Sequence, residues 1–575
     1  MEKQHNRGQD GAGVAAIKLD SEPGYPFLYR IRSNAHQPIA DLFEKIGQEI
    51  AEIEKHQPEI KHHPGLMKGH INVMGELLLG HLRYGTQGKN DVAFCHPFIK
   101  KDIIPARNMA LAGNFNLVNT EELFKLIKID ADAFQKQSDL AAMMEVIHHY
   151  LVEADKQNPG EINIVDVLKK SVQLFDGGFN FAGITGSGES FVVRDAHGIR
   201  PSYYYISDDV IVAASERAAI RTAFNLEENE VKELMPGMGL IVHENGDYQI
   251  EQIIEAKERK ACSFERIYFS RGSDEKIYRE RIALGYNLSN IVLNAINYDL
   301  RNTIFSFIPN TAETAFYGLI KGAEDYLNKI KIERILSWGN DVTEEKLEAM
   351  INRKIRQEKI AIKDVKLRTF ITEDTNRNEM VQHVYDITYG TVRKDEDTLV
   401  IIDDSIVRGT TLKESIIRML SRLGPKKIIV VSSAPQIRYP DCYGIDMSKM
   451  NDFIAFRAVI ALLNEKGMAN VIDQTYQKII ALEASNELHT ENVVRQLYKP
   501  FTPEEVSNKI AQLITPDDIK IPVEVIYQTI EDLHDCCPTN TGDWYFTGNY
   551  PTPGGNKVCN KAFKNYVEGK NVRGY

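Results

Sequence analysis

The sharpest chemical signal in this sequence is the stretch from Thr398 to Leu420, TLVIIDDSIVRGTTLKESIIRML. An apolar run, Leu399 to Ile402, is followed at once by two carboxylates, Asp403 and Asp404, then by a short loop and an amphipathic segment. Where a parallel strand ends and a helix begins, free backbone N–H groups and the helix dipole favour an anion. Ser405, Ile406, Val407, Arg408, Gly409, Thr410 and Thr411 offer such N–H groups, side-chain hydroxyls, and a glycine that lets the backbone approach a ligand. The expected chemistry is phosphate binding. Asp403 and Asp404 would accept hydrogen bonds from two adjacent sugar hydroxyls or help to hold Mg²⁺. The segment is not a P-loop, because the lysine of G-K-[ST] is absent.

A second set of candidates lies in the first half of the chain. Arg83, in GHLRYGTQG, follows an apolar strand and suits a fork that grips a carboxylate. Asn114, in GNFNLVN, carries an amide that would stabilise an oxyanion. Asp139, at the start of a helical pattern, would pair with a ligand ammonium. Taken singly, a surface arginine, a turn asparagine and a helix cap are all commonplace.

The elements that must position these groups differ between the two halves. From Val14 to about Asn245, short β-rich runs alternate with turn signals, and two stretches, Ile39 to Lys55 and Asp139 to Asp155, carry helical periodicity. An α+β sandwich is expected there. After about Ala261, continuous apolar strands such as TIFSFIP, TLVIIDDS and KKIIVVSSAP alternate with helices, the pattern of a parallel sheet covered on both faces. Ile330 to Lys366 is charged and helical and reads as an added arm. From Thr502 onward come a helix, a CCPTNTG loop and a Gly/Pro/Asn-rich tail. The expected domains are 1–260, 261–500 with a helical insertion at about 330–366, and 501–575.

With 575 residues, 43% hydrophobic and 26% charged, the chain has the composition of a globular protein of several domains. Its net charge of −12 and the lack of a basic stripe argue against a nucleic-acid partner. Its apolar runs are too short to span a bilayer, and no signal or transit pattern opens the chain, so a cytoplasmic location is expected. The six cysteines show no C-x-x-C spacing and read as reduced thiols. His56, His62 and His63 lie in KHQPEIKHHPG without a carboxylate or cysteine at ligand spacing, and read as a surface stretch.

The run from Leu399 to Thr411 resembles, nearly letter for letter, the 5-phosphoribosyl-1-pyrophosphate (PRPP) loop of type I phosphoribosyltransferases. The segments IPNTAETAFYG (Ile308 to Gly318), RTFI (Arg368 to Ile371) and APQIRYPDCYGIDM (Ala434 to Met447) resemble other pieces of that family in order. RGQDGAG, the segments of Arg83, Asn114 and Asp139, and DAHGIRP (Asp195 to Pro201) resemble class II glutamine amidotransferase domains. Together the halves are similar to the amidophosphoribosyltransferase family. The resemblance implies an Ntn-type αββα sandwich, truncated at its start, joined to an α/β type I phosphoribosyltransferase domain. It implies that Arg83 and Asp139 bind glutamine and that Asn114 stabilises the oxyanion. It further implies that Asp403 to Thr411 and Arg368 bind PRPP, with Mg²⁺ held by Asp403, Asp404 and Thr311. Ammonia from glutamine would then displace pyrophosphate from PRPP to give 5-phosphoribosylamine. Purine nucleotides as inhibitors and a homo-oligomer also follow from the resemblance.

The chain departs from that pattern in four places. The family's glutaminase nucleophile is a cysteine at residue 1 of the mature chain, upstream of the RGQ segment. Here the first cysteine is Cys95, in AFCHPF beyond the arginine motif, so the glutaminase step is expected to be impaired. Either Met1 is an internal methionine of a longer reading frame, which the retained Arg83, Asn114 and Asp139 favour, or this half has lost its chemistry. Phe115 stands where relatives carry glycine. Cys262 and Cys442 match two of the four cysteines that hold an iron–sulfur cluster in some relatives. Gly542 and Tyr545 stand at the other two positions, so no cluster is expected. The lysine expected in the flexible loop is replaced within HVYDI (His383 to Ile387). Two rival readings remain: an ammonia-dependent phosphoribosyltransferase without glutaminase, and a non-enzymatic PRPP-sensing regulator, against which stand the acidic charge and the absence of a helix-turn-helix.

Overall fold

A computed structural model of the chain describes residues 1–21, 26–85, 91–128, 138–363, 385–445 and 447–574. In the first half, strands β1 (Gly11–Ile17), β2 (Leu28–Ser33) and β3 (Leu77–Arg83) form an antiparallel sheet in the order β2-β1-β3. Strands β4 (Phe98–Lys100), β5 (Met109–Leu117), β6 (Gly177–Thr185), β7 (Ser190–Arg194), β8 (Tyr203–Ile206), β9 (Ile211–Ala214), β10 (Lys232–Glu233), β11 (Met238–Val242) and β12 (Tyr248–Gln252) follow. Six of these make a second antiparallel sheet, β12-β11-β7-β6-β5-β4, and β10-β8-β9 make a small third one.

The two larger sheets stack because their strands alternate. Along β1, Ala12 and Val14 pack with Ile39, Leu42 and Ile46 of the helix Pro38–His56, whereas Ala15 and Ile17 face Ala110, Ala112 and Ile184 of the second sheet. Along β5 the alternation repeats: Ala110 and Ala112 face the first sheet, while Met109 and Leu111 pack against the helices Asp139–Gln157 and Ile164–Val172. The layers are therefore helix, sheet, sheet, helices, the sandwich expected from the period-two pattern.

The second half is built on a parallel sheet. Strands β13 (Thr303–Phe307), β14 (Arg356–Gln357), β15 (Ala361–Lys363), β16 (Tyr385–Ile387), β17 (Thr398–Asp403), β18 (Lys427–Ser432) and β19 (Val523–Tyr527) follow in sequence. Five of them form the parallel order β14-β13-β17-β18-β19, and β15 and β16 form a separate antiparallel pair. In β17, Leu399 and Ile401 enter one core and Val400 and Ile402 the other. Ile428 and Val430 of β18 likewise oppose Ile429 and Val431. Burial on both faces explains the unbroken apolar runs.

Two stretches differ from expectation. Among the described residues, helix does not continue across 330–363. One helix, Glu313–Trp338, starts in the core, a second, Glu344–Ile351, follows, and β14 then joins β13 as the edge strand, with the Arg356 side chain donating to Asp397 at 2.6 and 2.9 Å. The segment after residue 501 is not an appended tail either. It supplies β19 to the main sheet and the helix Pro553–Val567. Proline and glycine there mark a helix start and a tight contact. Pro553 sits in the first turn, where its missing N–H costs nothing, and a Cβ on Gly554 would lie 2.1 Å from Val118 of the first half.

Candidate active site

Arg83, Asn114 and Asp139 converge on one cavity of about 400 Å³. Arg83 is the last residue of β3, Asn114 lies on the inward-alternating face of β5 beyond Ala110 and Ala112, and Asp139 opens the helix Asp139–Gln157. The cavity is walled by both halves, since Phe269, Gly444 and Ile445 also line it, and so does Arg573 from the C-terminal segment.

The amide of Asn114 is oriented by Arg200, whose Nη2 donates to Asn114 Oδ1 at 2.8 Å. A guanidinium has only donors, so the side-chain oxygen must face it and the NH₂ is left to donate elsewhere, as an oxyanion site requires. Arg200 is presented by a loop wound around buried Asp195. The Asp195 carboxylate accepts from the amides of His197 at 2.9 Å and Ile199 at 3.0 Å. This explains the DAHGIRP motif: the aspartate shapes the turn and the arginine is its payload. Arg200 also meets Glu265 at 3.5 Å, and Glu265 receives Arg7 at 2.8 Å.

Asp139 is held by the amides of Leu140 at 3.0 Å and of Leu117, at the end of β5, at 3.3 Å. Burial pushes its carboxyl up to about 6, against the pull of these amides and of Arg573. Arg83 donates to the Asp91 carbonyl at 3.3 Å and lies over the Phe94 ring. Beneath Asn114, His81 and His96 pack with ring centroids 4.2 Å apart, and His81 shares a hydrogen bond of 3.1 Å with the Gly113 carbonyl. Burial lowers His81 to about 4, so the pair is neutral at ordinary pH. No cysteine is among the described residues lining the cavity. Cys95 is buried behind it, with Sγ 3.7 Å from the Ser33 carbonyl, and burial raises its thiol.

The wall shared by the halves is the segment 441–445. Asp441 folds it, accepting from the amides of Tyr443 at 2.9 Å and Ile445 at 2.6 Å, and from Trp544 Nε1 at 2.8 Å. Gly444, at φ +107°, stands where a Cβ would be 3.6 Å from Asn114 Oδ1. Asn116 donates to the Cys442 carbonyl at 2.8 Å. The positions aligned with cluster ligands also gather here. Cys262 Sγ lies 3.0 Å from the Tyr545 hydroxyl, which accepts from the Phe264 amide at 2.9 Å, and Cys262 bridges Gly542. A buried phenol and a glycine beside Cys262 do not fit an S₄ cluster site.

The second constellation lies at the C-terminal edge of the parallel sheet, about the central strand β17. Asp403 accepts from the Asp404 amide at 2.8 Å, and Ser405 Oγ donates to Asp404 Oδ1 at 2.9 Å. The loop is anchored from behind: Ile406 is buried, the Val407 carbonyl accepts from the Ile454 amide at 2.8 Å, and Arg408 pairs with Asp452 at 3.2 Å. Gly409 has φ +71°, a conformation glycine adopts without strain, and Thr410 begins the next helical segment. Among the described residues, the amides of Ser405 to Gly409 make no backbone hydrogen bond. Thr311 follows β13, whose last residue pairs with Ile402, and so stands at the same sheet edge. Two adjacent carboxylates suit Mg²⁺ that arrives bridged to substrate phosphates. Arg368, the rest of RTFI, residues 383 and 384 of HVYDI, and Asp446 lie outside the described residues.

Residues 97–222 match the family described as a glutamine amidotransferase domain. The amidophosphoribosyltransferase of Pseudomonas aeruginosa is 28% identical over 469 residues, covering 79% of this chain and 78% of its own. That of Saccharomyces cerevisiae is 26% identical over 571 residues, covering 96% and 87%. This chain is similar in sequence to amidophosphoribosyltransferases over most of its length. The fold agrees: glutamine PRPP amidotransferase from B. subtilis, complexed with ADP and GMP, superposes with a TM-score of 0.63 at 22% identity, covering 96% of this chain and 93% of that one.

Within this chain, the sequence pointed to Arg83, Asn114, Asp139 and the Asp403–Thr411 loop. It did not single out Arg200, Asp441, the His81–His96 pair or Arg573. Arg200 lay inside a quoted motif, and Asp441 is the first residue of DCYGIDM. Nothing in local spacing announced Arg573. Among the described residues no helix is long and apolar enough to cross a membrane.

Proposed function

We propose that this chain is an amidophosphoribosyltransferase, forming 5-phosphoribosylamine from PRPP and ammonia, the first step of purine biosynthesis. The observation that carries this reading is the wall 441–445. It joins the sheet that bears the Asp403–Thr411 loop to the cavity that holds Arg83, Asn114 and Asp139. In this reading Asp403 and Asp404 take the ribose hydroxyls, the amides and hydroxyls of Ser405 to Thr411 take the 5′-phosphate, and Arg368 contacts PRPP. Mg²⁺, held by Asp403, Asp404 and Thr311, offsets pyrophosphate charge when bound. The Asn114 amide, turned by Arg200, meets the carbonyl oxygen of bound glutamine, while Arg83 and Asp139 take its carboxylate and ammonium.

We further propose that the glutaminase step is impaired in this chain. We also propose a cytoplasmic enzyme that is inhibited by purine nucleotides and assembles as a homo-oligomer. The deciding test is pyrophosphate release from PRPP and Mg²⁺, with ammonia and with glutamine supplied separately. Turnover with ammonia but not glutamine is expected. PRPP binding without pyrophosphate release from either donor would overturn the enzyme reading in favour of a sensor.

A further inference from the structure

We propose that the helical arm spanning residues 328–354 is an interface between copies of this chain, in which two arms pair about a twofold axis as a four-helix bundle. This inference gives a surface to the homo-oligomer proposed above and rests on that reading.

In the helix Glu313–Trp338 the buried residues run from Ala315 to Leu327, and beyond Leu327 none is buried. The inner part is fastened to the helix Glu275–Ala295: a Cβ on Gly318 would lie 1.9 Å from the Ile282 carbonyl, and one on Gly322 would lie 2.3 Å from Ser289 Oγ. The chain then turns at Gly339, with φ +51°, and Thr343 caps the second helix, Glu344–Ile351, by accepting from the Lys346 amide at 3.3 Å. Lys331 Nζ donates to the Ile351 carbonyl at 3.2 Å, so the two helices lie side by side. Apolar residues remain uncovered on this hairpin. Leu336 is 75% exposed, Ile351 60%, Ile332 59% and Val342 39%. Ile332 and Leu336 are four apart and share a face of their helix, and Ile351 stands across from Lys331, the neighbour of Ile332. Single exposed apolar side chains are ordinary, but four on one short hairpin mark a surface that pairs.

Charge decides what covers it. Lys329, Lys331 and Arg334 outweigh Glu333 on the outer part of the first helix, whereas Glu344, Glu345 and Glu348 outweigh Lys346 on the second. Among the described residues, the side chains of Lys329, Glu333, Arg334, Glu344, Glu345 and Glu348 make no ion pair, and all six are exposed. One helix is therefore basic and its neighbour acidic. When two hairpins face each other about a twofold axis running along the helices, the first helix of one copy lies on the second helix of the other, and the sign of charge alternates around the bundle. The alternative, with like helices in contact, is disfavoured by the same charges. The chain thus carries its own complement. Helices about 10 Å wide and up to about 16 Å long hide on the order of 1,000 Å² between two such faces, the lower limit of a specific interface. A reversible contact is the expected result.

The test is the mass of the full chain by sedimentation equilibrium over a range of concentrations, with unfolding curves as the control for folding. Leu336→Glu and Ile332→Asp should each weaken self-association at least about tenfold. A chain with Lys329→Glu and Arg334→Glu, and a second with Glu344→Lys and Glu348→Lys, should each lose the contact. An equimolar mixture of these two should regain it, because only the mixed pair brings opposite charges face to face. A parent heavier than the 65.2 kDa monomer whose mass is unchanged in every variant overturns the arm as an interface and leaves the homo-oligomer reading standing. A mixture that fails to regain the contact overturns the twofold pairing. A parent that stays monomeric up to about 100 µM, well above a micromolar Kd, overturns both the inference and the homo-oligomer reading.

Discussion

Arg200 turns Asn114: its Nη2 donates to Asn114 Oδ1 across 2.8 Å, linking residues 86 positions apart in the chain. The Asn114 amide is thus set by a residue on a different loop, and that residue is itself fixed by Asp195 behind it and Glu265 beside it.

The pair should therefore be energetically coupled. Arg200→Met leaves the Asn114 oxygen unpaired and Glu265 with Arg7 as its remaining arginine partner, at a cost of about 1–3 kcal/mol in urea unfolding. In the Arg200→Met background, Asn114→Ala should cost less than it does alone. Strictly additive losses in a double-mutant cycle would refute the coupling.

The carboxyl of Asp139 sets a pH dependence. Burial raises it from its usual value near 3.8 to about 6 in the folded chain, so between those pH values the folded state binds more protons than the unfolded state. Stability must fall as pH rises through that window and stay lower above it. Asp139→Asn should match the parent below pH ~4 and exceed it by about 2–3 kcal/mol above pH ~6. A cationic ligand moiety needs the ionised form, so L-glutamine affinity in the parent should climb up to about pH 6 and then level. The same step persisting in Asp139→Asn would point to another group.

Asp403→Asn and Asp404→Asn should each reduce ammonia-supported pyrophosphate release by about 10–100-fold, the loss of a charged hydrogen bond or metal contact. Because the Asp404 amide donates to Asp403, the Asp403 variant should also lower stability slightly. Unchanged kcat/KM in both would remove the PRPP assignment from this loop.

Tyr545→Phe deletes the acceptor of the buried Phe264 amide and the partner of Cys262. Destabilisation by about 1–3 kcal/mol is expected. Protein purified without oxygen should contain neither iron nor acid-labile sulfide in stoichiometric amount, and finding either would contradict the misfit of this donor set.

What the sequence made legible was local. The Leu399 to Thr411 run carries its strand, loop and helix start within two dozen residues, and the alternation of Ala110, Ala112 and Asn114 can be read off β5. What escaped was set by contacts between distant segments. Gly554 and Pro553 look like tail composition until the helix is seen lying on Val118, and β19 is a short strand whose place comes from pairing with β18. Arg573 has no neighbour in sequence to mark it. Helix periodicity over 330–366 likewise concealed the edge strand at Arg356, whose place comes from pairing with β13 and whose side chain meets Asp397.

The wall 441–445 bears on how such a protein could be taken apart. Asn116 donates to the backbone of residue 442, Gly444 abuts Asn114, and Trp544 braces Asp441 from the far end of the chain. A cut at residue 260, where composition changes, would carry off Arg83, Asn114 and Asp139 but leave behind part of the surface that encloses them. The portable module is therefore discontinuous. Grafting this cavity onto another scaffold would require the residues around 441–445, the bracing Trp544 and the C-terminal helix to travel with the first 260 residues.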